Sequence, residues 1–258
     1  MTSRTPPPAP TPVYDVIGAS YNTTRRADPR LEQVIWAALG DSRTVLNVGA
    51  GTGAYEPPDR SVVAVEPSAT MRRARPPQAA PCLAASAESL PFDQASFDAV
   101  MAILTVHHWS DYRAGLRELR RVARHRVLIL HWDQMVMDRL WLADYFPEAF
   151  AFDRHRPPSL SDLRAGLGPG TQVIPLPVPH DCQDGFGAAY WRRPHAYLDP
   201  AVRAGISMIA QTEHQRGDGL TRLRRDLDNG TWADRHRALV DQPEHDCGYR
   251  LIIAGVSR

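Results

Sequence analysis

The chain has 258 residues, 43% of them hydrophobic and 23% charged, which supplies ample apolar material for a packed core. Its 30 basic and 29 acidic residues leave a formal charge of +1, so no overall field favours a polyanion and nucleic acid is not an expected partner. Cys82, Cys182 and Cys247 form no CxxC pair, which argues against a disulfide framework or a structural zinc, and no run approaches the roughly 18 apolar residues of a membrane helix.

Residues 1–12 are rich in proline and threonine and lack the apolar stretch of a signal peptide, so a disordered tail on a cytoplasmic protein is expected. Residues 13–258 read as a single domain. Tyr14 to Leu39 has helical spacing, ends at Gly40, and suggests lid helices over 13–40. Short apolar runs predict strands at Thr44–Val48, Ser61–Val65, Cys82–Ala84, Phe97–Ala102 and Arg126–His131, within a core of 41–132. The periodicity of Leu116, Leu119 and Val122 predicts a helix over Tyr112–Val122. Between the first two strands Pro57-Pro58 leaves room for one helical turn at most. Alternating strands and helices imply a mostly parallel sheet covered on both faces.

Beyond Trp132 the pattern predicts helices over Gln134–Phe150, Ser159–Leu167, Ala201–Gln211 and Leu220–Leu227, and strands at Val173–Val178 and Tyr249–Val256. The stretches 133–170 and 181–245 then form helical lids or insertions that select a substrate. His-Asp-Cys occurs at 180–182 and again at 245–247, which is read as coincidence rather than the alternative, a paired surface that meets in the fold.

Chemistry concentrates at Val45-Leu46-Asn47-Val48-Gly49-Ala50-Gly51-Thr52-Gly53, a glycine loop directly after a strand, where backbone approaches a ligand with no Cβ in the way. The next strand ends in Glu66, an acid placed to accept hydrogen bonds from both ribose hydroxyls of a nucleoside. The GxGxG spacing, with Glu66 only 13 positions after Gly53, departs from the dinucleotide fingerprint, and no Walker motif is present. A nucleoside without a pyrophosphate fits best.

These residues, with Val62–Ser68, Ala85–Phe92 and Ser96–Trp109, resemble the motifs of class I S-adenosylmethionine-dependent methyltransferases of the small-molecule type, the methyltransferase-11-like domain. The resemblance covers close to half the chain. It implies an α/β, Rossmann-like fold, a mostly parallel seven-stranded sheet with an antiparallel last strand, plus a helical lid and insertion. It also implies S-adenosyl-L-methionine as cofactor and a cofactor site of Tyr21, Arg26, Asn47, Gly49, Ala50, Gly51, Gly53, Glu66, Pro67, Met71, Ser86, Ala87, Glu88, Ile103 and Leu104. Asn47 departs from the family pattern, which has Asp or Glu there to contact the cofactor's ammonium or the loop that holds it; Asn still accepts a hydrogen bond but brings no charge.

Methyl transfer to a hydroxyl or ammonium needs a base, and His107 and His108 follow the strand that faces the transferred methyl. The N-terminal segment resembles a lid, with Tyr21 closing over the cofactor and Arg25 or Arg26 pairing its carboxylate. Tyr14, His131, Trp141, Trp191 and Arg192 are the candidate contacts to a small-molecule acceptor, its atom oxygen or nitrogen. The alternatives are an RNA, nucleic-acid or protein methyltransferase and a non-catalytic S-adenosylmethionine-binding protein. Against the first, Ile103-Leu104-Thr105-Val106 stands where base methylators carry Pro-Pro and an aromatic residue. A monomer or homodimer without a membrane partner is expected.

Overall fold

The computed structural model describes residues 24–154, 156, 158–215 and 217–256. The tail at 1–12, Tyr14 and Tyr21 therefore lie outside the described residues. Helix α1 (Pro29–Ala38) starts where Asp28 caps the Arg30 amide and Pro29, with no N–H to lose, takes the first position. Strands β1 (Thr44–Val48) and β2 (Ser61–Val65) follow, joined without a helix, as Pro57-Pro58 dictates. Then come α2 (Ala69–Arg73), capped by Ser68, β3 (Cys82–Leu83), β4 (Phe97–Ile103), a 3-10 turn over Val106–His108, α3 (Tyr112–Val122) and β5 (Ala123–Trp132).

The sheet order is β3-β2-β1-β4-β5, then a last strand β9 (Tyr249–Gly255) and, at the edge, β6 (Gln172–Pro175). The first five strands are parallel, and β9 runs antiparallel to both β5 and β6. The chain winds outward from β1 in both directions, so the carboxyl ends of β1 and β4 open a crevice. The continuous apolar runs serve two faces. Val45, Ala99, Met101, Leu128 and Leu130 face one core, while Leu46, Val100, Ala102, Val127 and Ile129 face the other. The second core is closed by α3 and by α7 (Leu160–Leu167), whose cap at Ser159 is a full capping box with Asp162.

The expected helix over Gln134–Phe150 is instead α4 (Gln134–Met137), α5 (Leu142–Tyr145) and α6 (Pro147–Arg154). Pro147 cannot continue a helix and begins a new one. The expected strand over Val173–Val178 also divides. Pro175 and Pro177 offer no N–H to a ladder, so β7 (Val178–Pro179) leaves the sheet and pairs with β8 (Glu244–His245). The insertion holds α8 (Pro200–Ala204), α9 (Ser207–Thr212), α10 (Gly219–Asp228), α11 (Thr231–Arg235) and α12 (Arg237–Val240), so the helix expected over Ala201–Gln211 breaks at Gly205-Ile206. The β7–β8 ladder sets Val178 opposite His245, and the His180 amide reaches Pro243 at 2.9 Å. The two His-Asp-Cys tripeptides thus meet in the fold, and Cys182 and Cys247 share one core, correcting their reading as coincidence. Among the described residues no helix is long and apolar enough to cross a membrane.

Candidate functional site

The loop after β1 turns on positive φ angles, 66° at Gly49 and 52° at Gly51. A Cβ on Gly49 would stand 2.1 Å from the Thr105 hydroxyl, so glycine there is what lets the loop after β4 close in. At Gly51 a Cβ would meet only the Met71 methyl, at 3.5 Å, which leaves that face of the loop open to a ligand. The Gly51 and Ser68 amides each donate to one oxygen of Glu66, at 2.9 and 2.8 Å. A carboxylate has about four lone-pair sites, so two remain for a ligand. Burial pushes the Glu66 carboxyl above its ordinary pKa, opposed by those two amides and by Arg72 and Arg75.

Asn47 donates its amide to Glu56 at 3.1 Å, and Glu56 in turn pairs with Arg75 at 2.8 Å, both nearly buried. A carboxylate only accepts, so the Asn47 nitrogen must face Glu56 and its carbonyl oxygen is left to the other side. Glu56 does not line the cavity; its oxygens are taken by Asn47, Arg75 and the Ala80 amide, so it braces Asn47 from behind. The sequence reading missed Glu56 and Arg75; the signal for Glu56 was an acid just before Pro57-Pro58 in a crossover too short for a helix. Glu88 ties the loop after β3 to the loop after β4 by accepting from the amides of Ser110 and Asp111, at 2.8 and 3.3 Å.

Together these loops enclose a cavity of about 500 Å³, within the range of small-molecule sites. Asn47, Gly49, Ala50, Gly51, Glu66, Pro67 and Met71 line it from one side, and Ser86, Ala87, Glu88, Ile103, Leu104 and His108 from the other. Gly53 is not on its wall; it packs toward Glu56 and Arg75. Arg26 is exposed, and its neighbour Arg25 lines the cavity instead. Asp184, itself 1% exposed, holds Arg25 at 2.6 Å and accepts from the Tyr55 hydroxyl at 2.8 Å.

Arg25 and Leu104 also line a second, smaller cavity of about 50 Å³, walled by Trp132, Phe150, Phe186, Met208 and Tyr249, with His107, Asp153 and Ser207 as its other polar side chains. Leu104 adopts φ 50°, a costly conformation for a branched side chain, at the junction of the two cavities. His107 is buried on this second wall and its Nδ1 has no partner. Burial, then His108 and Arg156, drives its pKa well below the ordinary value, so it is neutral.

His108 differs. Arg156 lies 3.0 Å from its Nδ1, and a guanidinium can only donate, so Nδ1 accepts and Nε2 carries the proton. Burial and Arg156 lower its pKa to about 3. Arg156 also donates to the His107 carbonyl at 3.0 Å and stands 3.4 Å from Asp153, pinning the 3-10 turn to α6. Asp153 is 7% exposed, and burial raises its carboxyl to about 6 despite Arg156. Neither residue was singled out in the sequence, where they look like ordinary surface charges just past a helix.

Four expected acceptor contacts lie elsewhere. His131 stacks on Trp132 at 4.4 Å, bonds the Pro158 carbonyl at 3.0 Å, and lines neither cavity. The Trp141 and Trp191 indoles donate to the carbonyls of Trp191 and Val178, inside the core, and Arg192 bonds the Gln242 carbonyl. Trp141 and Trp191 wall a third cavity of about 320 Å³, which shares Ala188 with the second.

Residues 46–130 match the family described as a methyltransferase domain. A solved structure from Anabaena variabilis, described as a methyltransferase from an antibiotic biosynthesis pathway, is 34% identical, with TM-score 0.81 over 90% of this chain and 98% of that one. Two curated relatives are a demethylmenaquinone methyltransferase of Roseiflexus castenholzii, 37% identical, and a malonyl-[acyl-carrier protein] O-methyltransferase of Erwinia pyrifoliae, 41% identical. The matched segments cover 37% and 34% of this chain and only 44% and 36% of those relatives.

Proposed function

The chain belongs to the class I S-adenosylmethionine-dependent methyltransferases, and from that premise we propose that it methylates a small molecule whose accepting oxygen or nitrogen enters the second cavity. The observation that carries the reading is the meeting of the two cavities at Arg25 and Leu104. The larger one fits the cofactor. It has the volume, an open glycine face, two unused Glu66 lone pairs for ribose hydroxyls, and the Asn47 carbonyl oxygen for an ammonium. Met71 and the 86–88 loop would hold the adenine. When bound, S-adenosylmethionine supplies a methyl group on a positively charged sulfur.

The chain's own residues orient the acceptor between aromatic walls and polar side chains, and move one proton. His107 takes that proton. Its Nδ1 is unpartnered and its ring neutral, whereas His108 already accepts from Arg156 and presents a donor. A cavity of about 50 Å³ admits the reacting end of a small acceptor. The Anabaena structure's description supports placing that acceptor in small-molecule or natural-product metabolism.

Calorimetry tests the reading. The protein is expected to bind S-adenosylmethionine and S-adenosylhomocysteine, and Glu66→Ala to weaken both about tenfold to a hundredfold, the worth of charge-assisted hydrogen bonds. No heat with either nucleoside would overturn it.

A further inference from the structure

We infer that the acceptor is a primary or secondary amine bound in its protonated form, selected by the Asp153 carboxylate; this rests on the second cavity being the acceptor site. The cavity's charges leave Asp153 as the group in want of a partner. Arg25 is held by both oxygens of Asp184, at 2.6 and 3.3 Å. Arg156 directs its shorter contacts to the His107 carbonyl and His108 Nδ1, both 3.0 Å, and lies over the Phe152 ring. Among the described residues Asp153 receives only its 3.4 Å approach, although the carboxylate is buried.

A buried carboxylate with so little compensation is costly, and a cation delivered by a ligand removes that cost. The remaining walls suit the same guest. Trp132, Phe150, Phe186 and Tyr249 supply aromatic rings, the environment that favours an ammonium over a neutral hydroxyl. Ser207 adds a hydroxyl acceptor, and His107 a ring nitrogen without a partner. At about 50 Å³ the cavity holds a few heavy atoms, so discrimination falls on the functional group at the acceptor's tip.

The chemistry balances. A bound ammonium has at least two N–H groups. One stays on Asp153 while the other gives its proton to His107 Nδ1. The nitrogen lone pair so released forms the N–C bond, and the C–S bond breaks with its electron pair remaining on sulfur, leaving a thioether. The product nitrogen is again a cation, so Asp153 is matched before and after the step.

The test gives the full chain methyl-labelled S-adenosylmethionine with matched pools of small amines, alcohols and thiols such as propylamine, 1-propanol and 1-propanethiol. In parallel, Tm is read with millimolar propylammonium or 1-propanol in the presence of S-adenosylhomocysteine. Label is expected in the amine pool, with a rise in Tm for propylammonium alone. Asp153→Asn keeps the shape of the side chain and should fold. It is expected to raise the amine KM about tenfold to a hundredfold and abolish the ammonium effect on Tm, with the cofactor Kd unchanged. Label in alcohols or thiols but not amines overturns the inference. So does an unaltered amine KM in Asp153→Asn, and so does no label together with no ammonium-specific rise in Tm. Absent binding of either nucleoside overturns the methyl-transfer reading itself, whereas intact binding without an ammonium preference sinks only this one.

Discussion

The larger cavity is assembled from short consecutive stretches at the ends of β1, β2 and β4, the smaller one from segments scattered between Arg25 and Tyr249. In the first, backbone amides do much of the fixing, as at Gly51 and Ser68 on Glu66. In the second, the polar groups are side chains drawn from distant segments, Arg25, His107, Asp153 and Ser207, with Arg156 beside them bridging Asp153 and the His107 carbonyl. A site made by backbone at strand ends tolerates sequence change around it. A site made by interlocked side chains is specific and depends on each partner. Substitutions in the two halves should therefore separate cleanly, cofactor affinity moving in one and turnover in the other.

His107→Ala is the sharpest way to break that division. Loss of a positioned base is expected to lower kcat about 10²- to 10⁴-fold, with the S-adenosylhomocysteine Kd within about twofold of wild type. If calorimetry shows the Kd changing as much as kcat, the two cavities are not functionally separate. Next in size is Glu56→Gln. It leaves the nearly buried Arg75 without its counter-charge, so a loss of about 3 kcal/mol in urea unfolding is expected. It also frees the Asn47 amide to turn, and cofactor affinity should fall about tenfold. Unchanged affinity would mean that Asn47 needs no support.

The same division explains what could be read from the sequence. Gly49, Gly51 and Glu66 announce themselves because a ligand that approaches backbone after a strand demands those residue types at those positions. The sheet was legible for a related reason: strands buried on both faces are short apolar runs, and Thr44–Val48, Ser61–Val65 and the helix Tyr112–Val122 stand where periodicity puts them. Asp153, Arg156 and Asp184 were not legible, since nothing local tells a buried charge with a distant partner from a solvated one. Aromatic residues carry a mixed signal: Trp141 and Trp191 satisfy their indoles within the core and also wall the third cavity, so their number does not separate packing from binding.

Acid sensitivity should come mainly from the smaller cavity's surroundings. His131 has its pKa lowered to about 4 by burial, His108 to about 3, and His107 is lowered as well. Each folded value lies below the unfolded one of about 6.5, so the unfolded chain takes up protons first. Stability is full above that value and falls as pH drops from about 6.5 toward 4, on the order of 2 to 3 kcal/mol for one such imidazole. Asp153 works the other way. Its folded pKa of about 6 exceeds the unfolded 3.8, so its contribution is present below 3.8 and lost as pH rises through 6. Three imidazoles outweigh one carboxylate, and urea midpoints measured at pH 7, 6 and 5 are expected to decline. A flat profile would place the imidazoles in water.

Arg192→Ala should have the smallest effect and asks where the acceptor site ends. Arg192 makes one hydrogen bond, to the Gln242 carbonyl at 2.7 Å, and its loss is expected to cost about 1 kcal/mol. It lines neither the larger cavity nor the smaller one. Steady-state KM values for cofactor and acceptor should therefore stay within about twofold of wild type. The third cavity, behind Ala188, gives this null result its force: an acceptor with a long tail reaching past Ala188 would occupy the space walled by Trp141 and Trp191, beside the loop that Arg192 fastens. A tenfold rise in acceptor KM, with kcat and cofactor KM unchanged, would extend the acceptor site through that wall. It would also return Trp191 and Arg192 to substrate selection, the role their sequence first suggested.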